Sequence, residues 1–294
     1  MKGAWIQRVR SFNRTVTERI GALNDRFLGR DRPVGEARLL WEIGTTGAEI
    51  RDLRTRLSLD SAYLSRLLRS LEQQGLVDVG EHLSDRRVRR AVLTDAGVAE
   101  RDELDRRSTD LAQRLLEPLT DKQRARVVAA MEEVERLLTA SMVTIAVTNP
   151  AAADARWCVA HYFGELASRF EKGFDPAQSI SADDHEMTPP AGVFLVARLR
   201  ERPVGCGALK LHRDGPAELK RMWVSPSVRG VGVGARLLRE LEQRARAAGV
   251  RVLRLETNRA LKEAIALYRA SGYREVAPFN AEPYAHHWFE KRLS

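Results

Sequence analysis

From Trp5 onward the apolar positions run Val9, Phe12, Val16, Ile20, Leu23 and Phe27, always three or four residues apart. That period places them on one stripe and predicts a helix over 5–27, stopped by Gly29 and Pro33. Two later segments carry the same period. One covers about 95–117, with Leu104, Leu111 and Leu115, and ends at Pro118; the other covers about 121–140, with Val127, Met131, Val134 and Leu138. Long helices flanking a compact middle suggest dimerisation, against the simpler reading of an intramolecular bundle.

The middle is shorter in period and denser in signals. Helices are expected over 36–46, over Glu49–Leu57, and over 61–74 with Leu64, Leu67, Leu68 and Leu71 inward. Asp60 suits the cap of the last, because its carboxylate can accept from the free N–H groups of the first turn. Gly75 suits its end. Two short helices joined by a tight turn at Ser58-Leu59 make a helix-turn-helix. The leucines leave Ser61, Ser65, Arg66 and Arg69 on the opposite face, with Tyr63 near its edge. Short strands at Leu76–Val79 and Val88–Leu93 then enclose a hairpin with Asp85, Arg86 and Arg87 near its tip. A hairpin tipped with arginine directly after a helix-turn-helix is a wing, and arginine suits a minor groove because it reads the groove's potential and width.

Beyond Pro118 and the 121–140 helix the pattern changes. Residues 142–147 are β-rich, so two domains are expected, 1–140 and 141–294. The second half reads as helix 150–171, strands 193–200, 203–212 and 217–224, helix 232–248, strand 251–256, helix 260–271, and strands 273–276 and 286–292. This is mixed α/β with several hairpins.

Composition adds limits. The 294 residues, 44% hydrophobic and 30% charged, are globular rather than disordered. No apolar run approaches a membrane span. Arg8, Arg10 and Arg14 follow so closely on Trp5 that no signal-peptide block is read. Cys158 and Cys206 are the only cysteines, which points to a reducing cytoplasm and excludes a disulfide framework. The net charge is +9, and only seven of the 49 basic residues are lysine. Arginine suits bidentate contacts with phosphate and guanine. Genomic base composition explains the excess equally well, so its position in the helix-turn-helix and wing carries more weight than its amount.

The run Ser61-Ala62-Tyr63-Leu64-Ser65-Arg66-Leu67-Leu68-Arg69-Ser70-Leu71-Glu72-Gln73-Gln74-Gly75-Leu76-Val77, then Asp85-Arg86-Arg87, then Leu93-Thr94-Asp95-Ala96-Gly97, resembles the MarR family of winged-helix regulators over about 5–140. The resemblance implies a homodimer, a pseudo-palindromic double-stranded DNA site, the 61–74 helix in a major groove and Arg87 at a minor groove. It also implies a ligand pocket between the dimer helices and the winged helix.

In the second half a strand ends at Val224-Ser225-Pro226 and a glycine-rich loop opens a helix: Arg229-Gly230-Val231-Gly232-Val233-Gly234-Ala235. Glycines let main-chain N–H groups approach an anion, and the helix N-terminus adds partial positive charge. A P-loop would need Gly-Lys-Ser/Thr, which is absent. A dinucleotide fingerprint could be forced onto Gly230, Gly232 and Ala235 with Glu256 following, but the antiparallel pattern upstream does not fit a first βαβ unit.

The same residues carry the signature of the GNAT acetyltransferases. Glu218–Val224 resembles that family's bulged fourth strand, Leu255-Glu256-Thr257-Asn258 its fifth, and Ala264–Tyr273 the helix with its tyrosine. The resemblance covers about 142–294. It implies an acetyl-CoA-dependent N-acetyltransferase with a mixed, mostly antiparallel sheet and no metal. It places acetyl-CoA on Met222, Trp223, Val224, Arg229–Ala235 and Asn258, a general base at Glu218 and a proton donor at Tyr268. The plain alternatives are an edge-strand glutamate and a core aromatic. For the acceptor, His161, Tyr162, Glu165, Arg169, Asn280, Glu282, Tyr284, His286, His287 and Trp288 are available, and Glu282 reads either as an ammonium site or as a solvated loop carboxylate.

The expectation is therefore a cytoplasmic, homodimeric DNA-binding regulator fused to an N-acetyltransferase for a primary amine, a small molecule such as an amino acid. Two alternatives remain open: a non-catalytic acetyl-CoA sensor and a protein-lysine acetyltransferase.

Overall fold

The computed structural model describes residues 2–24, 26–82, 85–180, 182–213 and 215–293, with only the backbone at Lys2, at 81–82 and at 85–88. It divides into two compact units, Met1–Ala129 and Ala130–Ser294.

The first unit begins with α1 (Lys2–Arg19). The helix stops well before the end of the apolar stripe. Gly21 takes φ 68°, Gly21 N–H donates to Glu18 O and Ala22 N–H to Thr17 O. This is the paired closure that a left-handed glycine permits at a helix end, and it overrides the hydrophobic period beyond it. The exposed face of α1 carries Trp5, Ile6, Val9 and Phe12, with Trp5 71% exposed.

Next come α2 (Val34–Ile43), β1 (Ala48–Glu49), α3 (Ile50–Leu57) and α4 (Ser61–Gln73). Asp60 Oδ1 accepts from Tyr63 N–H at 2.8 Å, so the cap forms as its chemistry suggests. Strands β2 (Val77–His82) and β3 (Asp85–Leu93) make the wing. The two-residue β1 joins them, giving a sheet of order β1-β3-β2. Leu39, Leu40, Leu53, Leu64 and Leu71 fill the core beneath.

Helix α5 (Asp95–Leu116) is capped by Thr94, whose hydroxyl accepts from Gly97 N–H at 3.0 Å. Its first turn lies so near the preceding chain that a β-carbon on Gly97 would stand 1.9 Å from Leu76 O. No residue but glycine fits there. A buried ionic cluster ties α5 to the segment before α2. Glu100 accepts from both Arg30 and Arg32, and Arg32 also donates to Gln74 at the end of α4. Helix α6 (Asp121–Ser141) leaves Met131, Leu137 and Leu138 exposed.

The second unit is a seven-stranded sheet of order β4-β5-β6-β7-β8-β10-β9. Its strands are β4 (Thr144–Val147), β5 (Gly192–Leu199), β6 (Arg202–Lys210), β7 (Ala217–Val224), β8 (Val252–Thr257), β9 (Arg274–Val276) and β10 (His287–Arg292). Helices α7 (Ala153–Arg169), α8 (Val233–Ala247) and α9 (Lys262–Ala270) pack on it. One core cluster joins α8 to the sheet through Leu237, Leu241, Leu209 and Leu253. Another joins α7 through Cys158, Phe194, Cys206 and Trp223.

All neighbours in this sheet are antiparallel except β7 and β8, which are parallel. Their ladder has only two pairs, Ala217↔Leu253 and Glu218↔Arg254. Beyond it the strands separate, and the sheet opens into a crack. Among the described residues no helix is long and apolar enough to cross a membrane.

Candidate active site

Two cavities occupy that crack. The larger, about 540 Å³, is lined by Met222–Val224 of β7, by Val228–Gly230 of the loop and Gly232–Ala235 at the start of α8, and by residues of α7 and α9. The smaller, about 100 Å³, is lined by Leu219–Met222, Glu256–Asn258 and aromatic residues on α7 and in the loops. They share Tyr162, Leu166, Met222, Leu261, Ala264 and Tyr268, so the two adjoin.

The glycine loop at the head of α8 gives the larger cleft a main-chain edge. Gly232 caps α8 with φ 85°, a region closed to most residues. A β-carbon on Gly232 would meet nothing within 4 Å, so its dihedral angle demands glycine while its face stays open. The exposed N–H groups of the first turn suit a phosphate-bearing ligand. A β-carbon on Gly234 would press Leu267 at 3.3 Å. The residues therefore fit an extended, pyrophosphate-bearing thioester such as acetyl-CoA.

Arg229 turns inward. Its Nε donates to Val224 O at 2.8 Å and its guanidinium pairs with Glu165. Glu165 also accepts from Trp223 Nε1 at 2.8 Å and from Arg169 at 3.0 Å. Burial opposes the charge on Glu165, but these donors, Arg229 first, hold its carboxyl below the usual range.

The bulge lies at the cavities' junction. Cys206 pairs with Trp223 and Ala208 with Lys220, so Arg221 and Met222 together face Gly207. Arg221 takes φ 59°. The shift inverts the alternation of β7: Leu219 belongs to the core under α8, Trp223 to that under α7.

The smaller cavity is built from side chains. Lys220, 9% exposed at its side chain, lies 2.8 Å from Glu218 Oε2 and also pairs with Glu256. Glu218 further meets His212 Nε2 at 3.0 Å. Burial raises the Glu256 carboxyl above its ordinary value, despite Lys220. Glu218 is lowered: burial works against its charge, but Lys220 and then His212 outweigh it. Tyr268 is 5% exposed, and its phenol is raised above the ordinary value by burial.

A family model described as "Acetyltransferase (GNAT) family" matches residues 160–273, and one described as "MarR family" matches 29–88. An IAA acetyltransferase of Azospirillum brasilense is 47% identical over 117 residues, 39% of this chain and 76% of the relative. This chain belongs to the GNAT acetyltransferase family. Its N-terminal unit is a MarR-family winged helix-turn-helix domain. The N-alpha-acetyltransferase RimI of Mycobacterium tuberculosis is 33% identical over 142 residues, 47% of this chain and 84% of that protein. A solved GNAT acetyltransferase of Staphylococcus aureus is 17% identical, with a TM-score of 0.45 over 52% of this chain and 99% of its own.

Within this GNAT domain, Met222, Trp223, Val224, Arg229, Gly230, Gly232, Val233, Gly234 and Ala235 line the larger cleft; Val231 is not among its lining residues. Asn258 lines the smaller cavity instead. Its Nδ2 donates to Tyr284 O at 2.7 Å and its Oδ1 accepts from Ala260 N–H. Tyr268 lines both cavities, whereas Glu218 lines neither, because it holds the last paired position of the ladder.

Of the acceptor candidates, Tyr162, Glu282 and Tyr284 line the smaller cavity, while Glu165 and Arg169 line the larger cleft. Glu282 is not a solvated loop carboxylate: it is 8% exposed and accepts from Ser179 Oγ, Ile180 N–H and Tyr284 N–H. His161 is exposed, with Nδ1 at Trp157 O. Sequence reasoning missed Lys220, Arg221 and Glu256 as wall residues. The signal was present in the charged run through β7 and β8, but it needs the ladder's end to be read.

In the MarR domain Ser61, Tyr63, Ser65, Arg66 and Arg69 are all exposed on α4. The guanidinium of Arg66 lies over Tyr63, 5.5 Å from its centroid. Arg86 and Arg87 fall on β3, but their side chains lie outside the described residues.

Proposed function

We propose that this chain transfers the acetyl group of acetyl-CoA to the primary amine of a small molecule, and that its MarR domain binds a pseudo-palindromic DNA site as a homodimer. The observation that carries the enzymatic reading is the meeting of a cleft with a main-chain edge and a walled, charged cavity at Tyr268 and Met222. A small acceptor suits a cavity of about 100 Å³ walled in part by aromatic side chains.

The donor's phosphates would lie on the N–H groups at Gly230–Gly234 and its pantetheine arm along Met222–Val224, as an added strand would. The acceptor amine would attack the thioester carbon at the bulge. Its proton passes to Glu256, the carboxylate at the cavity wall. Glu218 acts from behind as a positioning residue, holding Lys220 against Glu256. Tyr268 gives its proton to the departing sulfur, leaving coenzyme A as the thiol, and regains one from solvent. Burial makes this phenol a weaker acid, but the same dry surroundings make the thiolate a stronger base.

On the DNA side, the exposed polar face of α4 supports entry to a major groove. The apolar faces of α1 and α6 support a homodimer.

Thiol release from acetyl-CoA across a panel of free amines and a lysine-bearing protein tests the enzyme. Release with free amines supports the proposal; release with the protein alone identifies a protein acetyltransferase, and release with neither leaves a sensor. Selection from random duplexes tests the MarR domain, and failure to enrich any sequence would refute specific binding. Arg66→Ala should weaken an enriched site by roughly 1–3 kcal/mol.

A further inference from the structure

We infer that the acceptor is an α-amino acid with an apolar or aromatic side chain, its carboxylate held by Arg221 and its side chain by the aromatic wall of the smaller cavity. This rests on the small-amine reading above and narrows it.

The placement of Arg221 is the first ground. Residues held in the left-handed region are strained and persist only where the surroundings impose them. Here the bulge imposes φ 59° and turns the Arg221 side chain to the cavity wall. The guanidinium lies on the face of Phe163, 4.4 Å from its centroid, and reaches Ala182 O at 3.4 Å. A planar fork braced on a ring is pre-organised for a carboxylate, which it can meet with two parallel hydrogen bonds. Burial pulls the group below its ordinary value, against the longer-range pull of Tyr162, Cys206 and the carboxylates of Asp183 and Asp184.

The apolar wall is the second ground. Phe174 lies 5.4 Å from Phe163, 5.9 Å from Phe170 and 4.9 Å from Tyr284, centroid to centroid. Tyr284 is fixed at its far end, its hydroxyl accepting from Asp175 N–H at 3.0 Å. Such a wall offers an apolar or aromatic side chain a face of rings to pack on.

The charge order is the third. Arg221 and Glu256 both line the cavity, offering a cation for the carboxylate and a carboxylate for the amine. A zwitterion with an apolar substituent complements all three features.

The test compares thiol release by the full chain with L-phenylalanine, L-phenylalaninamide, phenethylamine and glycine. The amide keeps the amine and the ring but removes the negative charge. Its amine is less basic, so more of it is free at neutral pH, and chemistry alone favours it. We expect kcat/KM for L-phenylalanine to exceed that of its amide by at least about tenfold, mainly in KM, as a charged hydrogen-bonded pair warrants. Arg221→Gln should bring that ratio towards one, and Arg221→Lys should restore part of it. Phe174→Ala should cost L-phenylalanine more than glycine. Calorimetric binding of acetyl-CoA by each variant shows that its GNAT domain is folded. If the amide or phenethylamine equals L-phenylalanine, the carboxylate site is wrong while the small-amine reading stands. If no amine releases thiol although acetyl-CoA binds, both readings fall.

Discussion

Glu218 and Glu256 reach for one ammonium group, that of Lys220, from opposite sides of the line where β7 and β8 part. The pair is unequal. Glu256 stands at the cavity wall with its carboxyl raised, and Glu218 stands in the ladder with its carboxyl lowered.

That inequality makes the base assignable by pH. A carboxylate accepts a proton only above its own pKa. If Glu256 takes the amine proton, the acidic limb of kcat should lie above the ordinary carboxylate value of 4.5. If Glu218 takes it directly, the limb should lie below. Glu256→Gln should lower kcat by roughly 10²–10⁴-fold and remove the limb. Glu218→Gln should move the limb, because it alters the charge that Lys220 must balance. A full pH–rate profile of both variants decides between them.

Tyr268→Phe keeps the ring that separates the two cavities and deletes only the hydroxyl. It should lower kcat by roughly 10²-fold or more, the usual worth of a positioned proton donor. Acetyl-CoA affinity should stay near that of the unaltered protein. Stopped-flow turnover paired with equilibrium binding separates these quantities; unchanged turnover would mean that solvent protonates the sulfur.

Gly232→Val should abolish acetyl-CoA binding. The substitution forces a branched residue to φ 85° and fills the open face of the α8 cap. The left-handed backbone costs roughly 1–2 kcal/mol, too little to unfold the domain. Calorimetry should therefore find no binding in a protein whose thermal transition survives.

Acid should loosen the N-terminal unit through Glu100. The hydrogen bond from Arg30 leads the causes that hold its carboxyl below 4.5, against burial. A group lowered by folding stabilises the fold above its unfolded value, and that contribution is lost as pH falls through the folded one. Glu100→Ala should cost about 3 kcal/mol at neutral pH, since Arg32 is left buried with a charge less well matched. The gap between the variant and the unaltered protein should close in acid, as followed by urea unfolding.

Much of this was legible because it is local. The Asp60 cap, the leucine face of α4 and the glycine loop before α8 are each decided by residues a few positions apart. The end of α1 was obscured because the apolar stripe continues through Ile20, Leu23 and Phe27 although Gly21 closes the helix. Strand β1 spans only two residues, too few to show a period. The position of Glu218 outside both cavities follows from where the β7–β8 ladder stops, which is a relation between segments more than thirty residues apart. Glu165 and Arg169 reached the larger cleft rather than the smaller cavity because the rotation of α7 on the sheet is set by packing at Cys158 and Leu166.

The two-pair ladder also divides the molecule's vulnerability to change. On one bank of the crack the groups suited to phosphate are the amide N–H groups at the head of α8, which no substitution removes and few can block without strain. On the other bank the lining groups are side chains, and each can be exchanged singly. Mutation can therefore redirect such a domain to a new acceptor while its hold on the acetyl donor is inherited intact.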